Sequence, residues 1–454
     1  MNLEQILVLA MFATFAAILL TGFPVAWALA GTAVIYAVVG HVLVAQFNAD
    51  LWFNWGSSVE LLPERFWPLI SSDTLVALPM FIFMGIMLDR SGVAERLMRN
   101  MVTLFGAVRG GYSVTVIVIG MLLAATTGII GASVVLLGML SLPIMLKTGY
   151  SRSLAVGTAC ATGTLGILIP PSIMLVIMAD RLARPETSVG DLFLGAFFPG
   201  LLLGALYIGY VLILAWLRPD MAPLPKDRVK ITPRVVLNAV LAAAPTAGLI
   251  LAVLGSIFMG IATPTEASGV GATGAMLLAL ANRRLSYSVL RDSLYQTTRT
   301  SAFIFAIFLG ATAFSVVLRN LGGDQVIENA LLGLPFNNYG ILATILFVTF
   351  LLGFFLDWVE ITLIILPLVA PVVESMGFNL AWFTIMFAVC LQTSFLTPPV
   401  GFALFYIKGV CPPEIKTTDI YKGVVPFIIL QLVGLAAVFY WEGLVTWLPS
   451  VAFN

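Results

Sequence analysis

Two adjacent prolines stand at Pro170 and Pro171 and again at Pro398 and Pro399, each pair inside an apolar run long enough to cross a membrane. In the first, "GTLGILIPPSI" at 163–173, two glycines accompany them. A proline in a helix interior removes a donor and frees an upstream carbonyl, and lipid has no water to replace the lost partner. Such breaks are tolerated only where protein, or something the protein binds, satisfies the freed groups. The lipid solvent follows from a composition of 60% hydrophobic and 10% charged residues with a mean hydropathy of +1.07.

The prolines belong to a longer register. Shifting the chain along itself by 228 residues places Pro143 on Pro371, Gly149 on Gly377, Glu186 on Glu414, Asp191 on Asp419 and Gly195 on Gly423, with no gap. So many helix punctuators in one register point to duplication. The chain reads as a first repeat over 1–220, a proline-rich basic linker over 221–233 and a second repeat over 234–454.

Apolar runs in the first repeat fall at about 4–22, 24–44, 74–88, 112–146, 151–180 and 190–217. The run 112–146 is too long for one crossing and is interrupted by "TTGIIGAS", which a re-entrant hairpin explains: its tip sits at membrane depth inside protein. The second repeat offers a hairpin at about 339–373, interrupted by "FFLDWVE", and a broken helix at about 379–410. With hairpins that do not cross, each half makes an odd number of crossings. The expected fold class is therefore an all-α polytopic membrane protein in which the second repeat is inverted relative to the first.

Charge placement agrees with that topology. Loops assigned to one face carry 18 of the 22 basic residues, leaving only Arg65, Arg181, Arg184 and Arg319 on the other. By the positive-inside rule the rich face is cytoplasmic, and both termini are periplasmic. Met1–Leu20, with Glu4 where a basic n-region would stand, reads as a retained span rather than a signal peptide.

Other chemistries find no support. Basic and acidic residues balance at 22 each, which gives no reason to expect nucleic acid. Cys160, Cys390 and Cys411 lie in apolar surroundings and read as small buried hydrophobes, and His41 is the single histidine. Neither a transition-metal site nor a histidine relay is expected. No lysine follows the glycine-rich "GVGATGA" at 269–275, and no hydrolase constellation is present, so neither an ATP-driven pump nor an enzyme is expected. Glu266, in "TPTEAS", marks the start of a span and receives no role.

The breaks carry the candidate site. Around Gly163 and Pro170 the carbonyls of Gly163 to Ile167 lose helical donors, and the half-helix beginning near Ser172 presents orphan amides. Carbonyls attract cations and amides attract anions. The tip of the first hairpin should face this break, bringing the hydroxyls of Thr126, Thr127 and Ser133. By the repeat, "QTSFLTPPV" at 392–400 faces "FFLDWVE", which gathers Asp357, Glu360, Thr362, Ser394 and Thr397 near the break at Pro398. Oxygen ligands without thiolate or imidazole suit a hard ion such as sodium. An acid at membrane depth is functional by default, an interfacial turn being the alternative for Asp357 and Glu360. Thr158, Thr162, Gln392 and Thr393, on turns flanking the breaks, are candidates for substrate contact together with Thr126 and Thr127.

The string "TTGIIGASVVLLGMLSLPIMLKTGYSRSLAVGTACATGTLGILIPPSIMLVI", with "FLTPPVGFALF" in the second half, resembles the large membrane subunit of tripartite ATP-independent periplasmic (TRAP) transporters, the DctM type, over essentially the whole chain. The resemblance implies an ion-transporter-superfamily fold, with a scaffold and a transport domain that moves as an elevator driven by sodium. It implies sodium sites between hairpin tips and breaks: Ser133 with Gly166, Ile169 and Pro171, and a second set near Ser394, Thr397 and Pro399. Gly166 corresponds to Ser394 in the repeat, and the second tip gains two acids, so the two sites are not equivalent. Implied partners are a small four-helix membrane subunit of DctQ type and a periplasmic substrate-binding protein of DctP type that delivers an organic acid.

The expected activity is sodium-coupled import of a small organic anion across the bacterial inner membrane, with no organic cofactor. Each net positive charge moved inward contributes about 2.3 kcal/mol per 100 mV. A stand-alone sodium- or proton-coupled dicarboxylate-type symporter is the alternative.

Overall fold

The computed structural model describes residues 2–47, 51, 53–127, 130–184, 187–225 and 231–452, with the side chains of 124–127 left aside. Regular structure among the described residues is entirely helical. In the first half of the chain, α1 (Leu3–Leu20) and α2 (Val25–Phe47) are followed by the short α3 (Leu62–Ile70), α4 (Asp73–Arg90) and α5 (Val93–Phe105). Then come α6 (Gly111–Thr127), α7 (Ile130–Lys147), α8 (Arg152–Thr164), α9 (Ile173–Leu182) and α10 (Val189–Leu217). The second half runs α11 (Pro233–Phe258), α12 (Pro264–Ala281), α13 (Tyr287–Asn320), α14 (Gly323–Leu332) and α15 (Asn338–Leu352). It ends with α16 (Trp358–Ser375), α17 (Leu380–Leu396), α18 (Phe402–Val410), α19 (Thr417–Tyr440) and α20 (Gly443–Ala452). Among the described residues, 8 helices are long and apolar enough to cross a membrane, so this is a multi-pass membrane protein.

Helix starts are set by polar caps. Ser72 caps α4 by accepting from the Leu75 amide, and Ser188 with Asp191 closes a capping box on α10. Glu266 has the same task on α12: its Oε2 accepts from the Thr263 amide at 2.8 Å. Helix α5 is amphipathic, burying Val93, Ala94, Leu97, Met98 and Met101 and leaving Arg96 and Arg99 exposed.

Helices of the two halves of the chain pack on one another: α2 lies along α13, α4 along α12, α8 on α19 and α17 on α10. The ends of each expected hairpin meet: the Tyr112 amide donates to Tyr150 Oη at 3.2 Å, and Asn338 Nδ2 donates to the Met376 carbonyl at 3.2 Å. Thus α6 with α7, and α15 with α16, form antiparallel pairs whose outer ends lie together.

Candidate functional site

Each break is clasped by its own hairpin. At the first, α8 stops at Thr164, a short 3₁₀ turn covers Leu165–Ile167, and α9 resumes at Ile173. The turn packs on both arms, α6 and α7. Gly163 makes the approach possible, because a Cβ there would lie 2.4 Å from Val134 Cγ2 and 2.8 Å from Val134 Cα. At the second break α17 ends at Leu396 and α18 begins at Phe402. Here a Cβ on Gly353, at the second tip, would lie 2.5 Å from Ser394 Oγ.

The breaks are less bare than the sequence suggests. The Ile167 carbonyl accepts from the Ser172 hydroxyl at 2.5 Å, and the Leu165 carbonyl accepts from the Leu168 and Ile169 amides. Of the carbonyls expected to be free, these two are satisfied by protein, because the chain tightens into a 3₁₀ turn. At the second break, Ser394 Oγ donates to the Phe350 carbonyl at 2.7 Å and Thr397 Oγ1 to the Thr393 carbonyl at 2.7 Å. A hydroxyl that donates its proton keeps lone pairs for a cation. Gly166 and Pro171 are buried and Ile169 is half-buried against Gly200, whereas Thr397 and Pro398 are half-buried and Pro399 is exposed. The second clamp is therefore the more open of the two.

At the first tip Ser133 is 3% exposed, whereas the side chains of Thr126 and Thr127 lie outside the described residues. At the second tip Asp357 is the N-cap of α16 and Glu360 its third residue. Glu360 is 2% exposed, and its Oε2 is buried without a hydrogen-bond partner. Thr362 Oγ1 is likewise buried and unpartnered.

The substrate candidates on α8 and α17 are not brought to the tips. The stretch Leu154–Thr164 and all of α17 are buried, so their hydroxyls turn to local carbonyls or stay enclosed. Thr158 Oγ1 donates to the Leu154 carbonyl and faces Ser113 near the base of the first hairpin. Thr162 packs on Gly120, partway along α6. Thr393 Oγ1 donates to the Val389 carbonyl and lines an apolar crevice between α15, α17 and α19. Gln392 is buried near Gln431 and Tyr207: its amide atoms and the Tyr207 hydroxyl have no hydrogen-bond partner, whereas Gln431 Nε2 donates to Thr164 Oγ1 at 3.3 Å. Thr164 and Gln392 are equivalent in the 228-residue register, so matching points of the two broken helices lie in this one polar group.

One residue near the tips escaped sequence reasoning. A Cβ on Gly131, beside the first tip, would lie 2.9 Å from Tyr406 Cζ on α18. Tyr406 thus sets the half-helix beyond the second break against the first hairpin. Its only sequence signal is a hydroxylated aromatic in the half-helix "FALFYIKGV".

Comparison with known proteins sets this architecture in a family. The family model described as tripartite ATP-independent periplasmic transporter, DctM component, matches residues 12–444. The chain belongs to the DctM family. The C4-dicarboxylate TRAP transporter large permease protein DctM of Vibrio cholerae is 30% identical over 426 residues, covering 88% of this chain and 91% of that one. The ectoine/5-hydroxyectoine TRAP transporter large permease protein UehC of Ruegeria pomeroyi is 27% identical, with 98% and 99% covered. Among solved structures, the Alcanivorax borkumensis YdaH transporter shares the fold at a TM-score of 0.58 and 17% identity, over 85% of this chain and 89% of that one. As a DctM protein the chain is a transporter permease subunit, not an enzyme, and the tripartite system it belongs to includes a small membrane subunit and a substrate-binding protein.

Proposed function

We propose that this DctM subunit imports a small organic acid by sodium symport across the bacterial inner membrane, receiving it from a periplasmic binding protein and working beside a DctQ-type subunit. The observation that carries the reading is the pair of clamps: two hairpins, each closed on a helix broken at a proline pair, with oxygen atoms concentrated at the breaks. Oxygen-only surroundings fit sodium as a transported ion. In this reading the first site uses Ser133, Gly166, Ile169 and Pro171, and the second uses Ser394, Thr397 and Pro399 with Asp357 and Glu360. The substrate lies between the hairpin tips beside Tyr406, its carboxylate aimed at half-helix N-termini. The body holding the hairpins, α8–α10 and α17–α19 travels as an elevator against the body holding α2, α4, α12 and α13. The repeats, 1–220 and 234–454, are inverted, with the linker cytoplasmic and both termini periplasmic. The C4-dicarboxylate named for one relative supports an acid substrate.

The test is reconstitution of the permease with its small subunit and binding protein in vesicles. Concentrative uptake should appear with an inward sodium gradient and vanish when choline replaces external sodium at fixed pH. Uptake that survives that replacement and follows a proton gradient would favour the proton-coupled alternative, for which the unpartnered Oε2 of Glu360 is the motivating observation. Uptake by the permease without any binding protein would favour the stand-alone symporter.

A further inference from the structure

A recess of about 520 Å³ opens where the C-terminal end of α4, the amphipathic α5, the start of α11 and the turn between α12 and α13 converge. Three guanidinium groups line it, Arg96, Arg99 and Arg284, with the amides of Asn100, Asn238 and Asn282. Glu95 is the single acid in the lining, and it reaches only Arg284, at 3.8 Å. Among the described residues Arg96 and Arg99 have no carboxylate partner within ion-pair distance. The recess is therefore concave, rich in donors and positively charged. Charge of this kind, from α5 and the turn between α12 and α13, is matched by an oxyanion that accepts two guanidinium forks at once.

Its surroundings indicate where that oxyanion comes from. Leu241 forms part of the rim and is 55% exposed, and it continues into Leu237 and Val240 on the outer face of α11, at 55% and 57%. A polar head and an apolar stripe thus adjoin, at the level where α5 lies with its apolar side inward. These are the two halves of a phospholipid, and the basic side of a membrane protein meets anionic headgroups. We propose that the recess binds the phosphate of an anionic phospholipid, whose acyl chains lie along α11. The lipid then bridges α5, which leads into the first hairpin, to the α4 and α12 body. Gly92, with φ of 74°, turns α4 into α5, and Arg284 Nε sits 3.4 Å from where its Cβ would be, so the bridge spans the turn itself.

The test uses the full-length permease in maltoside micelles at constant ionic strength, with melting temperature read against added phosphatidylglycerol, phosphatidylcholine or inorganic phosphate. Phosphatidylglycerol should raise the melting temperature and the other two should not. In the double variant Arg96→Gln/Arg99→Gln the concentration giving half the effect should rise about tenfold or more. Arg283→Gln, an exposed basic neighbour outside the recess, should respond as the unmodified protein does. If the double variant does not fold, Asn238→Ala replaces it, with a smaller loss expected. Equal stabilisation by phosphatidylcholine, an undiminished response in the variant, or full stabilisation by inorganic phosphate alone would each overturn the proposal. So would a phosphatidylglycerol response abolished by co-purified small subunit, which would assign the recess to protein carboxylates.

Discussion

Ser72 Oγ donates a 2.8 Å hydrogen bond to Asp180 Oδ1, tying the cap of α4 to the last turn of α9 across 108 residues of sequence. Arg181 Nε donates to the other carboxylate oxygen at 3.0 Å, and its guanidinium carbon lies 4.9 Å from the centre of the Phe308 ring on α13. The Asp180 and Arg181 side chains are only 10% and 19% exposed, so water competes weakly for these contacts. A hydrogen bond to a charged group is worth about 1.5–3 kcal/mol, and loss of Asp180 also strips Arg181 of its partner. Asp180→Ala should therefore lower stability by about 2–4 kcal/mol, and Asp180→Asn, which still accepts from Ser72, by less. Thermal melting of the purified permease reads both. Identical melting of all three proteins would show that the tie contributes nothing.

The approach of Gly163 to Val134 leaves no room for a side chain. Gly163→Ala should destabilise the clamp by about 1–3 kcal/mol through overpacking against backbone atoms that cannot swing aside. Gly409, which faces open space, is the control: alanine there should be nearly neutral. Comparing the two melting curves checks the steric argument without reference to transport.

At the second clamp, Ser394→Ala removes a hydroxyl that bonds the Phe350 carbonyl and, in the proposed reading, a sodium ligand. The half-saturating sodium concentration for uptake should rise about tenfold, equivalent to about 1.4 kcal/mol. Glu360→Gln, which removes the charge at nearly constant volume, should give a comparable rise. Should both variants keep the sodium dependence of the parent, the second site must lie elsewhere.

The enclosed group formed by Thr164, Gln392, Gln431 and Tyr207 offers a double-mutant cycle. Thr164→Val leaves Gln431 Nε2 buried without its partner, at about 1–3 kcal/mol, whereas Gln431→Leu costs less because Thr164 Oγ1 still donates to the Ala161 carbonyl. Together they should cost less than the sum, with a coupling of about 1 kcal/mol measured by denaturation. Strict additivity would mean that the 3.3 Å contact carries no energy.

Much of this fold is written locally. Lipid forces each spanning segment to satisfy its own backbone, so apolar run length, the position of a proline pair and the interruption of a hairpin are decided within some 20 neighbouring residues and can be read from them. The break after Thr164, the restart after Ser172 and both hairpins are of that kind. Glu266 also follows a local pattern, that of a capping box.

Which side chains meet was decided only by tertiary structure. Gln392 lies beside the break in sequence, yet full burial of α17 turns it toward Tyr207 and Gln431. Tyr406 looks like any aromatic in a half-helix until α18 packs on α7 and sets it against Gly131. Ser72 and Asp180 become partners only because α4 and α9 meet. Hydropathy and helix breakers report how a segment sits in its solvent, but they hold no information about which of many equally apolar surfaces will fit. Shape complementarity between helices far apart in the chain makes that choice.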